Sequence, residues 1–315
     1  VTTIRTVGGL KDLDTRLRNE IKAGKKTGPM ILAANEGITV EGGHMAGSVA
    51  RVARNNEEAK RFVEASYAQG VDLVKLMITG GVLDAKEKGV PGEMKMPEDM
   101  IQAICKKAHQ LGLLTSAHVE STEGVKAALR NGVDSIEHGA KPDQEMMELF
   151  KEKKAFLITT LSPALPFALF DPSVSKVDDT QLFNGKMVFD GIVECSKAAL
   201  ENHIPVGLGN DVGCPWITQY DFYRELVYFH KYVGVTNGFA IYTATLQNAI
   251  LAGISDITGS IDAGKQADMI VVKENPLDDL NALKNIELVF TKGKMVHPKI
   301  KRDKEIEQRL DVFCK

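Results

Sequence analysis

Four residues of this 315-residue chain combine a side chain that can bind a metal or carry a proton with a place in or just beyond an apolar run: Lys75, His118, His138 and Asp211. His118 lies at the end of "LLTSAHV" and His138 ends "SIEH", twenty residues apart, with one helix-sized segment between them. Neutral imidazole is the commonest protein ligand for zinc-like ions, and two from neighbouring rigid strands supply half a metal site. Either histidine alone reads as a hydrogen-bonded core residue; two at the same level of successive strands point to a metal. Lys75 sits inside the apolar run "LVKLMITGG", where an ammonium is costly to bury unless paired, neutralised or modified. Asp211, in "VGLGNDVG", stands where a carboxylate can ligate a metal or take a proton from bound water. An ion pair for Lys75 and a helix cap for Asp211 are the structural alternatives.

For these four to converge, their runs must be neighbouring strands. Strand-like runs occur at 2–7, 29–34, 73–79, 113–119, 135–138, 156–161 and 205–209, each followed by a helix-period stretch such as "STEGVKAALRNG". Pro97 suits a first helical turn, Ser121 an N-cap, and Gly70, Gly112 and Gly132 the left-handed stop after a helix. The runs are nearly all apolar rather than alternating, as in a parallel sheet buried on both faces. Links from helix to strand are terse ("QGVD", "LGLL", "NGVD"), whereas "NEGITVEGGHMAGSVAR" and "GGVLDAKEKGVPGEMKMP" are long links from strand to helix. That asymmetry marks the active face of a (β/α)8 TIM-like barrel, the α/β fold expected here. An open doubly wound sheet would want a GxGxxG loop after its first strand, and "TVGGLKD" does not supply one.

Seven strand–helix units are countable where closure needs eight, and the chain opens at Val1 already in a strand-like run. The expectation is therefore a first strand upstream of Val1. Residues 1–255 form the barrel, and 256–298 the C-terminal part of a small β-sandwich with a turn at Lys292 and Gly293. Residues 299–315 form a charged terminal helix with a solvated face. The stretch 162–185 is expected as a Pro-rich loop able to close over substrate. Glu120 is read as solvent-facing, and His44, in the loop "EGGHMAG", as a candidate substrate contact. His109, His203, His230 and His297 take structural readings.

A net charge of −3 with no basic cluster excludes a nucleic-acid footprint, and no apolar run reaches membrane-span length. Four scattered cysteines form no CxxC and no disulfide framework, pointing to a reducing, cytoplasmic setting. The sequence leaves a homo-oligomer open.

"VTTIRTVGG", "VKLMITGG", "SAHVES…SIEHG", "VGLGNDVG" and "GSIDAGKQADMIVVKENPL" together resemble the amidohydrolase superfamily, in its metal-dependent prolidase-like and imidazolonepropionase-like branch. The resemblance covers nearly the whole chain. It implies a distorted barrel with a β-sandwich from both chain ends, and one or two divalent ions, usually zinc, at the strand ends. It further implies a CO2-derived carbamate on Lys75 bridging two ions, His118 and His138 as ligands, and Asp211 as ligand and general base. The family's His-x-His pair, carried on its first strand, has no counterpart in this sequence. The implied reaction is hydrolysis of a C–N bond in a dipeptide, N-acyl amino acid or small cyclic amide. A deaminase of the same superfamily, or a barrel that has lost its first-metal site and its catalysis, are the alternatives.

Overall fold

Apolar, β-branched runs closed off by glycine form the strands that carry the chemistry. The computed structural model describes residues 1–315. Its first strands are β1 (Thr3–Arg5), β2 (Met30–Leu32), β3 (Gly37–Thr39), β4 (Ala50–Val52) and β5 (Leu73–Met77). β6 (Leu114–Val119), β7 (Ser135–His138), β8 (Phe156–Thr159) and β9 (Val206–Leu208) follow. Among them lie α1 (Leu13–Lys22), α2 (Asn56–Ala68), α3 (Glu98–Gln110), α4 (Thr122–Arg130) and α5 (Gln144–Lys153). Next come α6 (Leu161–Leu169), α7 (Pro172–Ser175), α8 (Asp179–Glu201), α9 (Tyr223–Tyr228), α10 (Asn237–Tyr242) and α11 (Asn248–Leu251). The chain ends with β10 (Met269–Val272), β11 (Ile286–Thr291), β12 (Lys294–Val296) and α12 (Lys304–Asp311).

All seven apolar runs are strands. β4, β3, β5, β6, β7, β8 and β9 pair in that order into one parallel sheet, and β1 pairs in parallel with β2. Asp72, just before β5, ties the β2 end to it. Its backbone N–H donates to Ala33 O at 2.7 Å, and its carboxylate accepts from Ala33 N–H at 2.7 Å. The sheet is strongly curled, because Arg5 on β1 reaches Glu137 on β7 at 2.7 Å. This is the parallel α/β barrel architecture expected, although the edge strands β4 and β9 do not pair with each other.

Local signals hold in detail. The Ser121 hydroxyl accepts from Gly124 N–H at the start of α4, and Gly132 takes a left-handed φ of 93° after that helix. Pro97 is the residue before α3 rather than within its first turn.

Three expectations change. The link 35–51 contains β3 and runs into β4; three-residue strands broken by glycines are too short for a sequence period, and β3 forms because Ile38 pairs beside Leu76. The stretch 162–185 is no loose loop but α6, α7 and the start of α8, with Gly185 so close to Phe167 that a Cβ would lie 2.7 Å from its side chain. The charged terminal helix does not present only a solvated face. Leu310 and Cys314 are buried, Arg224 meets Asp311 at 2.7 Å, and Lys284 meets it at 2.9 Å. β10, β11 and β12 form an antiparallel sheet, with Lys292 and Gly293 left-handed at its hairpin.

Candidate metal centre

Strand register decides which side chains share the interior. Lys75 aligns with Ser116, and Ser116 with Ser135. Aligned neighbours share a face, and the two-residue period adds His118, Glu120 and Glu137 to it. The Ser116 and Ser135 hydroxyls donate to Glu137 Oε1 at 2.7 and 3.2 Å, and Arg5 reaches the same oxygen. His138 aligns with Val119 and by alternation would point the other way. Its φ of 71° breaks the alternation and turns the ring inward, where its centroid lies 4.8 Å from that of His118. A left-handed backbone at a non-glycine residue costs about 1–2 kcal/mol, so His138 carries strain at the point where strand meets site. It follows that His138→Gly is more stable than His138→Ala by about 1 kcal/mol, the reverse of the usual order within a strand. Denaturant unfolding of the two variants tests this, and an Ala variant equal or superior in stability contradicts it.

The geometry is that of a cup of donors. His118, Glu120 and His138 each present a ligand atom within 4.8 Å of the others. His118 Nε2 lies 3.2 Å from Gly80 O, which can only accept, so the proton is on Nε2 and the Nδ1 lone pair is free. His138 Nδ1 lies 2.6 Å from Thr160 Oγ1, leaving Nε2 for the cup. His44 stacks on His118 with centroids 4.0 Å apart and planes 7° from parallel, while its Nδ1 meets Asp84 Oδ2 at 2.5 Å. Gly81 permits the crowding, since a Cβ there would lie 3.2 Å from the His44 ring and 3.4 Å from Glu120 Oε2.

Charge completes the fit. Burial drives His118 well below the ordinary imidazole value, with the positive potential of His44, His138 and Lys75 adding to it. Burial likewise lowers His138 to about 4, against the pull of Asp211. Both rings are therefore neutral at pH 7 and could serve as ligands. Burial raises Glu120 to about 8; the Val82 N–H opposes the rise, and Asp84 and Asp211 add to it. Lys75, only 3% exposed, is lowered to about 8 by burial, with Glu137 and then Asp211 opposing. Burial would raise Glu137, but Arg5 and then Lys75 hold it below the usual carboxylate range. Neutral imidazoles beside mutually repelling carboxylates are a donor set that a divalent cation satisfies.

Asp211 lies three residues past β9 with a left-handed φ of 49°, half-buried, and accepts from Cys214 Sγ at 3.4 Å. Its carboxylate is near enough to act electrostatically on both Lys75 and His138. His44, His118 and His138 are thus in ring contact, with Lys75 and Asp211 within electrostatic reach of them. His109, paired with Asp134 at 2.8 Å, and His230, bonded to Val235 O, lie outside it. Glu120 is not solvent-facing as expected, and it belongs to the cup. The signal was available, because a residue two beyond His118 shares its face. Asp84 and Thr160 carried no such signal, since only folding brings them to the rings. All four cysteines are free, and no helix is long and apolar enough to cross a membrane.

A curled parallel sheet with metal-type ligands at its strand ends defines a class of barrel hydrolases. The chain belongs to the amidohydrolase family, whose profile matches residues 1–296. A candidate prolidase from Bifidobacterium longum is 38% identical, with a TM-score of 0.92 over 99% of this chain and 77% of that one. A Xaa-Pro dipeptidase crystallised with methionine in its active site is 30% identical, with a TM-score of 0.83 over 94% and 75%. Ochratoxinase from Aspergillus niger is 27% identical over 249 residues, 78% of this chain and 50% of the enzyme. The chain spans about half the length of the curated relatives it matches.

Proposed function

We propose that this chain belongs to a metal-dependent hydrolase that cleaves an amide C–N bond in a dipeptide, an N-acyl amino acid or a small cyclic amide. The observation that carries the proposal is the convergence of His118, Glu120 and His138 at the ends of adjacent strands, with Lys75 and Asp211 beside them. Likeness to the Xaa-Pro dipeptidase favours the dipeptide among these substrates. His118 through Nδ1 and His138 through Nε2, with Lys75 and Asp211, are the residues to hold one or two divalent ions, zinc by preference for such ligands; Glu120 stands close enough to assist. When bound, the ion supplies a water acidified from about 15.7 toward about 7 and polarises the scissile carbonyl.

The protein's own groups do the rest. Asp211 accepts the proton of the attacking water and passes it to the leaving nitrogen. Lys75 is suited to carbamate formation, since only the neutral amine adds to CO2, losing one proton to give the anion. With a value near 8, roughly a quarter of the amine is neutral at pH 7.5. The His44 ring, held by Asp84, borders the cup where it can meet substrate. The four free cysteines suit a cytoplasmic setting. Assay of a panel of Xaa-Pro dipeptides before and after dialysis against a chelator tests the proposal. Turnover that vanishes on chelation and returns with zinc is the expected outcome. Turnover indifferent to chelation, or none toward any dipeptide, N-acyl amino acid or cyclic amide with zinc present, contradicts it.

A further inference from the structure

Thr160 stands at the N-cap of α6, yet its hydroxyl caps nothing. An N-cap hydroxyl ordinarily accepts from the second or third backbone N–H of its helix. Here it is 2.6 Å from His138 Nδ1 instead. The helix is capped from elsewhere, because Glu225 on α9, fully buried, accepts from Leu161 N–H at 2.6 Å and Ser162 N–H at 2.8 Å. Ser162 Oγ donates to the same carboxylate at 2.5 Å. A buried carboxylate far along the chain thus does the work that Thr160 would do.

We infer that Glu225 is a positioning residue for His138: by capping α6 in place of Thr160, it frees the Thr160 hydroxyl to hold the imidazole with Nε2 turned into the cup. The chain of contacts runs Glu225, the 161–162 backbone, Thr160, His138, and every member is at most 8% exposed. Without Glu225, two helix-terminal N–H groups lose their acceptor, and Thr160 Oγ1 is the nearest replacement by chain position. Taking that role pulls the hydroxyl from Nδ1 and lets the ring rotate. Partners of this kind on a ligating imidazole commonly change metal affinity by about 10- to 100-fold. The inference rests on His138 being a ligand, as proposed above.

The test compares Thr160→Val, Thr160→Ser, Glu225→Ala, Glu225→Gln and the Glu225→Ala/Thr160→Val double variant in the full chain. Zinc affinity is read by chelator competition, and the His138 ring nitrogens by nitrogen-15 NMR on metal-free protein. Thr160→Val and Glu225→Ala should each weaken zinc by about 10- to 100-fold and shift the His138 Nδ1 resonance, while Thr160→Ser stays near wild type. Because both act through one hydrogen bond, the double variant should be no worse than Thr160→Val alone. Glu225→Gln, which keeps one acceptor oxygen and the side-chain shape, should fall between; it replaces Glu225→Ala should that variant fail to fold. Folded Glu225 variants with wild-type His138 resonances, or additive losses in the double variant, overturn the inference. Should wild type bind no zinc, the ligand assignment is what fails, and the nitrogen resonances alone still decide the relay.

Discussion

Asp211→Asn is expected to lower kcat by about 10³-fold, within the 10²–10⁴ range of a general base, with KM little changed and zinc largely retained. The amide keeps the size and one acceptor oxygen of the carboxylate but cannot carry a proton between water and leaving nitrogen. The effect falls on kcat because the proton moves only in the reaction, not on binding. Asp211 sits on a left-handed turn three residues beyond β9 and is only half-buried, so the fold should tolerate the change. Steady-state kinetics with metal analysis on the same sample give the answer. A variant that turns over at more than about a tenth of the wild-type rate with metal in place removes Asp211 from proton transfer.

Lys75→Met separates function from stability. Loss of the amine removes the group proposed to form the carbamate and should cost activity at least about 100-fold, the level at which even outer-shell partners of a metal act. Stability should move the other way. A lysine lowered from 10.5 to about 8 by burial opposes folding wherever it is charged. The cost is fully present below pH 8 and fades as pH rises toward 10.5. At pH 7 it amounts to about 3 kcal/mol at most, reduced by the compensation Lys75 gives Glu137, which keeps Arg5 at 2.7 Å. Metal-free Lys75→Met should therefore be at least as stable as wild type at pH 7, with an advantage that shrinks above pH 8. Strong destabilisation at pH 7 would mean that Lys75 is the structural partner of Glu137 rather than a functional amine.

The seven main strands were legible because each is an apolar run long enough to show its period and closed by a glycine or a helix cap. His118, His138, Lys75 and Asp211 could be singled out because each is a polar side chain in or just past such a run. What escaped was of two kinds. β3 and β4 are three residues each, below the length at which periodicity exists, and they form only through pairing, β3 with β5 and β4 with β3. Asp84, Thr160 and Glu225 act across gaps of 40, 22 and 63 to 64 residues, and their partners are set by tertiary packing alone. Glu120 is the instructive case, since the alternation that placed His118 inside places Glu120 there too, and only its place just past the strand argued for solvent. The helical nature of 162–185 was obscured by Pro163 and Pro166. Pro163 stands in the first turn of α6 where its missing N–H is harmless, and Pro166 lies inside the helix.

Zinc stoichiometry of the purified full chain, set beside that of His118→Ala and His138→Ala, bears most directly on whether these strand ends form one cation-binding cup. At least one tightly held divalent ion per chain, lost from both variants while their folds survive, is the expected result. A wild-type chain that retains no ion, or variants that hold the same ions as tightly, would show that the four strand-end residues do not act as a metal centre.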